Sequence, residues 1–373
     1  MVDTRGRLWA RARVTIQQNR NALLFVAGWV ALAAIGFMAA LRLPLSEAAL
    51  AAVTLRKLDS AWGRAYASFT EVVVLGAALS LVVSNVTRRY RPEATCAALA
   101  GGASGHLVVI GFSNLGARLY RMVQAASGNV VVVEGDRSLV EALIAAEEPL
   151  VLGSARETAI LAAARVRAAS AVVIATDDLE TAAVACRLVR AENPRCKLVV
   201  RCPDDDVGQV LAKAYGARAV STSKFAAQAV LAHAVKAGSR KALVIGTSSM
   251  GRKVAAALEQ ERIACTLIPE TEDAGALARA GVADVDLVVI ADDDLGKNLI
   301  RADRVRDANP NALLLCRVFH DEAGEILTQS PLRCVLLSSS RLAADALAAD
   351  GTLRDVGITR AAKRGAPRGP APK

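Results

Sequence analysis

His106-Leu-Val-Val-Ile-Gly111-Phe-Ser-Asn-Leu-Gly116 and Lys241-Ala-Leu-Val-Ile-Gly246-Thr-Ser-Ser-Met-Gly251 are two copies of one pattern: an apolar strand, a glycine turn and the start of a helix. The likeness continues beyond the glycines. Ala171-Val-Val-Ile-Ala-Thr-Asp-Asp178 is matched by Leu287-Val-Val-Ile-Ala-Asp-Asp-Asp294, Asn193-Pro194 by Asn309-Pro310 and Arg201 by Arg317, all at an offset of 116 residues. At the glycines the offset is 135. A duplicated unit explains both offsets if the second copy has lost one strand and one helix, expected from the stretch corresponding to 149–166.

Apolar runs and helical stretches alternate outward from the glycines. Strands are expected near 106–111, 129–134, 149–152, 171–175 and 197–201, with helices starting near Asn114, Arg137, Glu157, Leu179 and Val207. The second copy has strands near 242–246, 263–268, 287–291, 312–317 and 335–338. This alternation predicts α/β architecture, with doubly wound parallel sheets in tandem. The expected boundaries are 106–240 and 241–349, with a linker over 92–105.

The glycine turns have phosphate-binding form, because a helix N-terminus offers unpaired amides and the positive end of its dipole. Gly111 and Gly246 make the turn, Gly116 and Gly251 let the helix press on the sheet, and Asn114 opens the first helix. Serine takes the middle place in both copies. Ser113 and Ser248 crowd a pyrophosphate, while their hydroxyls are able to donate to one phosphate. Glu134 follows Gly116 by 18 residues and Glu270 follows Gly251 by 19, where an acid accepts from ribose hydroxyls. The alternative is that both are strand-end acids on degenerate modules. The ligand this pattern implies is NAD(H) or an adenine nucleotide.

The chain has 373 residues, 53% of them hydrophobic, and a formal net charge of +10. Residues 1–21 contribute +4 and 354–373 contribute +5, so the body between them is nearly neutral and a nucleic-acid groove is excluded. The low-complexity tail within 350–373 is expected to be disordered, solvated or in contact with anionic lipid headgroups. Seven scattered cysteines and three distant histidines form no metal-ligand spacing and read as buried free thiols.

Residues 22–41 carry no charge and are long enough to cross a bilayer. A second candidate span, 65–87, is interrupted only by Glu71 and followed by Arg88, Arg89 and Arg91. Arginines before the first span and after the second put both termini in the cytoplasm of a two-span (22–91) plasma, or inner, membrane protein. Glu71 either lines a watery path or begins the second helix at the interface.

Between the spans, 46–55 reads as a short apolar helix with Ser46 as its cap. A helix too short to span, in this position, resembles the pore helix of tetrameric cation channels. There the family has a Thr-Val-Gly-Tyr-Gly-Asp type filter; this chain has Thr54-Leu55-Arg56-Lys57-Leu58-Asp59. Thr54 and Asp59 match, but both glycines and the aromatic are missing, and Arg56 and Lys57 would form a cationic ring beside the path. The competing reading is an ordinary extracytoplasmic loop.

Two spans, a basic linker, His106-Leu-Val-Val-Ile-Gly111, Glu134-Gly-Asp136, Ala175-Thr176-Asp177-Asp178, Asn193-Pro194 and Arg201 together resemble potassium channels carrying RCK domains, also called TrkA-N domains. The resemblance covers about 22–235, with 246–349 similar to a second, shortened unit. It implies Rossmann-like regulators that sense a nucleotide, residues 223–235 as a crossover helix, and Asp136, Thr176 and Asp177 as further binding residues. It also implies a homo-oligomer, a tetramer, acting on potassium or another cation. Gly153-Ser154-Ala155 departs from the family's frequent Gly-Asp-Ala.

Three functions compete at this stage. The first is an ion-transport protein gated by cytoplasmic nucleotide sensing. The second is a non-conducting, membrane-anchored sensor acting on a partner transporter, which Arg56-Lys57 favours. The third, an NAD-dependent oxidoreductase, lacks a recognisable general acid and a substrate domain, so no enzyme activity, no catalytic residue and no metal site are expected.

Overall fold

A computed structural model describes residues 20–54, 92–319 and 321–354. It also describes Ile16 and the helical positions Arg64, Tyr66, Phe69, Thr70, Val72, Val73, Leu75, Gly76, Leu79 and Val83. The pore-like residues Leu55, Arg56, Lys57, Leu58 and Asp59, Glu71, most of the basic N-terminus and the tail from 355 lie outside the described residues. The described residues form two compact units. One comprises those up to Gly102 with Glu141–Leu150, and the other Ala103–Val140 with those from Val151 onward.

The first unit opens with helix α1 (Arg20–Leu41) and the short α2 (Leu45–Thr54). Leu24–Leu41 is long and apolar enough to cross a membrane, the single helix among the described residues for which this holds. Small residues let α2 pack against α1: Ala33, Ala34 and Phe37 meet Ala48, Ala51, Ala52 and Tyr66 in one cluster. Tyr66 stacks on Trp29 at 6.1 Å, lies edge-on to Phe37 at 5.4 Å and donates its hydroxyl to Ala52 O at 2.6 Å. The same unit holds α3 (Pro92–Ala100), so the stretch read as a linker begins as a helix, and α5 (Glu141–Ala145), against which α3 packs.

The second unit is built on two parallel sheets. The first consists of β1 (Leu107–Ile110), β2 (Val130–Glu134), β3 (Leu150–Leu152), β4 (Ala171–Ile174), β5 (Lys197–Arg201) and β6 (Arg218–Val220), ordered β3-β2-β1-β4-β5-β6. Its helices are α4 (Asn114–Ala125), α6 (Thr158–Ala163), α7 (Leu179–Glu192), α8 (Asp205–Tyr215) and α9 (Thr222–Ala237). The second consists of β7 (Lys241–Ile245), β8 (Ala264–Ile268), β9 (Leu287–Ile290), β10 (Leu313–Arg317) and β11 (Val335–Leu337), ordered β11-β10-β9-β7-β8. With it run α10 (Ser249–Gln260), α11 (Ala274–Arg279), α12 (Leu295–Ala308), α13 (Asp321–Thr328) and α14 (Ser339–Ala349).

Continuous Val/Ile/Leu runs, rather than alternating ones, are what strands buried on both faces require. β1, β4, β7 and β9 have their apolar side chains almost fully buried. Fully burying one such side chain contributes about 1.5–3 kcal/mol. The core of the second sheet includes Ala226, Val230 and Ala234 of α9, and α9 also packs on α10 and α14, so the crossover helix joins the two copies.

The position of the missing segment differs from expectation. Helix α11 and the 3-10 turn Val282–Asp284 match α6 and Val166–Ala168 at the offset of 116, with Leu277 and Val282 buried as Leu161 and Val166 are. What the second copy lacks therefore corresponds to about 137–155, the 3-10 turn Arg137–Val140 with α5 and β3, and not to 149–166. Without a partner equivalent to β3, β8 ends its sheet and is more exposed than β2.

Candidate functional site

In a doubly wound sheet the ligand crevice opens at the C-terminal ends of the strands, where the strand order reverses. In the first sheet that point lies between β1 and β4. Gly111 ends β1 at φ +89°, and a Cβ there would stand 2.8 Å from Thr176 N. A Cβ on Gly116 would collide with Gly111 O, so α4 starts hard against the turn.

Ser113 occupies the N-cap position of α4, but its hydroxyl donates to Ala175 O at 3.0 Å and makes no cap hydrogen bond. The first-turn amides of α4 therefore have no side-chain cap. Glu134 reaches back from β2: one carboxylate oxygen accepts from Phe112 N at 2.5 Å, the other from Gly135 N at 2.7 Å and Asp136 N at 2.9 Å. It thus fixes the glycine turn from the side where a ribose would lie. Asp136 accepts from Ser138 N at 2.8 Å and Ser138 Oγ at 2.7 Å, which holds its carboxyl below the usual range.

Thr176 accepts from Asp178 N at 3.2 Å, and Asp177 pairs with Arg201. Asp178 caps α7 by accepting from Glu180 N and Thr181 N, and Arg156 reaches it at 2.8 Å and Glu180 at 3.1 Å. Gly111, Ser113, Asn114, Gly116, Glu134, Asp136, Thr176 and Asp177 therefore all stand at the C-terminal edge of one sheet. Arg156 belongs to the same rim and was not singled out from sequence.

The second copy repeats part of this geometry. Glu270 accepts from Thr247 N at 3.0 Å, as Glu134 does from Phe112 N, and Gly251 abuts Gly246 O. Ser248 donates to Ala291 O at 3.4 Å but also accepts from Gly251 N at 3.4 Å, so this helix is capped by its own serine. Arg317 pairs with Asp293 at 3.5 Å, as Arg201 pairs with Asp177. Burial, and then the neighbouring Arg317, push the Arg201 guanidinium below its ordinary value.

The two copies are also joined reciprocally. Arg118, seven residues past Gly111, donates to Ser338 Oγ at 3.3 Å; Lys253, seven past Gly246, donates to Ser221 Oγ at 3.2 Å and pairs with Asp205 at 3.0 Å. Each glycine-turn helix thus touches the start of the helix that follows the other copy's last strand. Among the described residues no group of three or more His, Cys, Asp or Glu is placed to hold a metal. All seven cysteines are free, and six of them are buried.

A TrkA-N domain model matches residues 107–223, which include the first glycine turn, Glu134, Asp177 and Arg201. Among solved structures the chain is similar to the GsuK channel, at 15% identity and TM-score 0.65, covering 92% of this chain and 99% of that one. GsuK bound to ADP gives 17% identity and TM-score 0.66 over 91% and 99%. GsuK bound to NAD gives 12% and 0.60 over 93% and 85%. The shared property is the fold. No curated protein matches the chain in sequence.

Proposed function

We propose that this chain is a membrane protein whose first α/β repeat senses NAD(H) or an adenine nucleotide and thereby regulates cation flux, potassium being the first candidate. The observation that carries this reading is the first crevice, where uncapped amides of α4, an acid at the end of β2 and a tight glycine converge. It stands in a chain whose fold resembles GsuK structures along nearly its whole length, and two of those structures hold ADP and NAD. The membrane assignment draws on Leu24–Leu41 and on α2, a helix too short to span, packed beside it. By the same resemblance the assembly is a homotetramer.

The crevice is a regulatory site in this reading, not an enzyme's. A nucleotide entering it meets α4, and α4 packs on α14, with Arg118 on Ser338. Ordering of the first glycine turn is thus passed to the second copy through packed helices. A second reading, an anchored sensor without conduction, is favoured by Arg56 and Lys57, which stand where a potassium filter has a glycine and an aromatic.

The deciding experiment is ion flux from liposomes holding the purified chain under a potassium gradient, with and without NADH, NAD, ADP or ATP. Flux that responds to one nucleotide and is lost on Gly111→Asp supports the transport protein. Nucleotide binding without flux supports the anchored sensor. Neither flux nor binding overturns both.

A further inference from the structure

Three positions that are apolar or uncharged in the first copy are polar or charged in the second. At the offset of 116, Thr176 becomes Asp292, Ala182 becomes Asn298 and Ala185 becomes Arg301. Ala182 and Ala185 lie buried on α7, yet Arg301 is just as buried on α12, at 1% exposure. A guanidinium so deep needs several partners. Arg301 pairs with Asp292 at 2.6 Å and with Glu272 at 2.5 Å, and donates to Asn298 Oδ1 at 3.1 Å and Thr271 O at 3.3 Å.

These partners locate the head group. Asp292 follows β9, Thr271 and Glu272 follow β8, and β8 and β9 are the strands on either side of β7. Arg301 therefore bridges the strand ends that flank the Gly246 turn, across the crevice a nucleotide would occupy. Glu272 directly precedes Asp273, the N-cap of α11. In the first copy the matching place, before Glu157, belongs to Arg156, so the charge is inverted.

Resting on the nucleotide reading of the first crevice, we infer that Arg301 is a built-in occupant that closes the second crevice, so that each chain takes up a single nucleotide. Expelling Arg301 would leave Glu272 and Asp292 facing the phosphates of the incomer, a repulsion added to the loss of the arginine's partners. The second glycine turn is closed in the same sense, since Ser248 already caps the amide of Gly251. By contrast, the ion pair on the first rim, Arg156 with Asp178, is exposed on both sides and opens at little cost. Once open, it offers the phosphates a cation, while Asp178 stays bonded to the amides of Glu180 and Thr181 and to the Thr181 hydroxyl.

The test is titration of the full-length purified chain with ADP by calorimetry, with amide hydrogen exchange followed by mass spectrometry. One ADP per chain is expected, with protection at 112–116 and none at 247–251. Two ADP per chain, or protection at 247–251, would overturn the inference, whereas no uptake at all would overturn the nucleotide reading beneath it. The triple variant Glu272→Arg, Asp292→Thr, Arg301→Ala puts the first copy's residues at those three places and should raise the count from one to two. Its first equivalent reports that the chain is folded. One equivalent retained and none gained would remove Arg301 from the role.

Discussion

Asp178 shows how far an exposed side chain can be tuned by two neighbours. The Thr181 hydroxyl, and then the Arg156 guanidinium, hold its carboxyl at about 2, well below the usual value. An unfolded aspartate titrates near about 3.9, so the folded value is the lower one, and the contribution is complete above that pH and lost as pH falls through about 2. The thermal midpoint of the native chain should therefore exceed that of Asp178→Asn at pH 5, and the gap should shrink between about pH 4 and pH 2. A gap that stays constant would mean that the cap's geometry, not its charge, matters. This aspartate was legible in the sequence as part of Ala-Thr-Asp-Asp, but its partner was not. Arg156 lies 22 residues away on another loop, and only the β3-to-α6 path brings it to the rim.

Secondary elements are tied together by a device that both copies keep. Asn193, buried at the end of α7, donates its amide to Val166 O at 2.9 Å and Ala169 O at 3.0 Å, and accepts from Cys196 N at 3.0 Å. Asn309 makes the matching bonds to Val282 O and Val285 O, each at 2.9 Å, and to Ala312 N at 3.0 Å. Asn193→Ala takes the side-chain donor from the Ala169 carbonyl and the acceptor from Cys196 N, and should lower stability by about 2–3 kcal/mol, measured by urea unfolding in detergent. Asn309→Ala should cost the same, and the double variant about the sum, since the two sites share no partner. The Asn-Pro repeat was visible as sequence, but the backbone groups it ties together were not. Strand positions were legible because runs such as Val130-Val-Val-Val133 have no other stable use than burial on both faces. β6 escaped notice because Arg218-Ala-Val220 is short and two of its three residues are exposed. The missing segment was placed too late because α11, six residues long, is too short for a clear helical period.

At the scale of the molecule, the first unit exposes Leu24, Phe25, Leu32 and Ile35 on α1 and Phe69, Val72, Leu75, Leu79 and Val83 beyond it. So much apolar surface calls for lipid or for other copies of the chain. Crosslinking in native membranes should give bands up to four chains under the proposed function; a clean monomer would remove the tetramer and, with it, the pore. The sequence by itself determined the duplication, the parallel sheets, the glycine turns and their acids, and a membrane-length helix, because each rests on local periodicity or on residues adjacent in the chain. Tertiary structure alone decided which crevice is open. That depends on Arg301, Glu272 and Asp292, drawn from three segments up to 29 positions apart. Their charges mean nothing until the fold brings the two carboxylates to a guanidinium too deeply buried to be left unpaired.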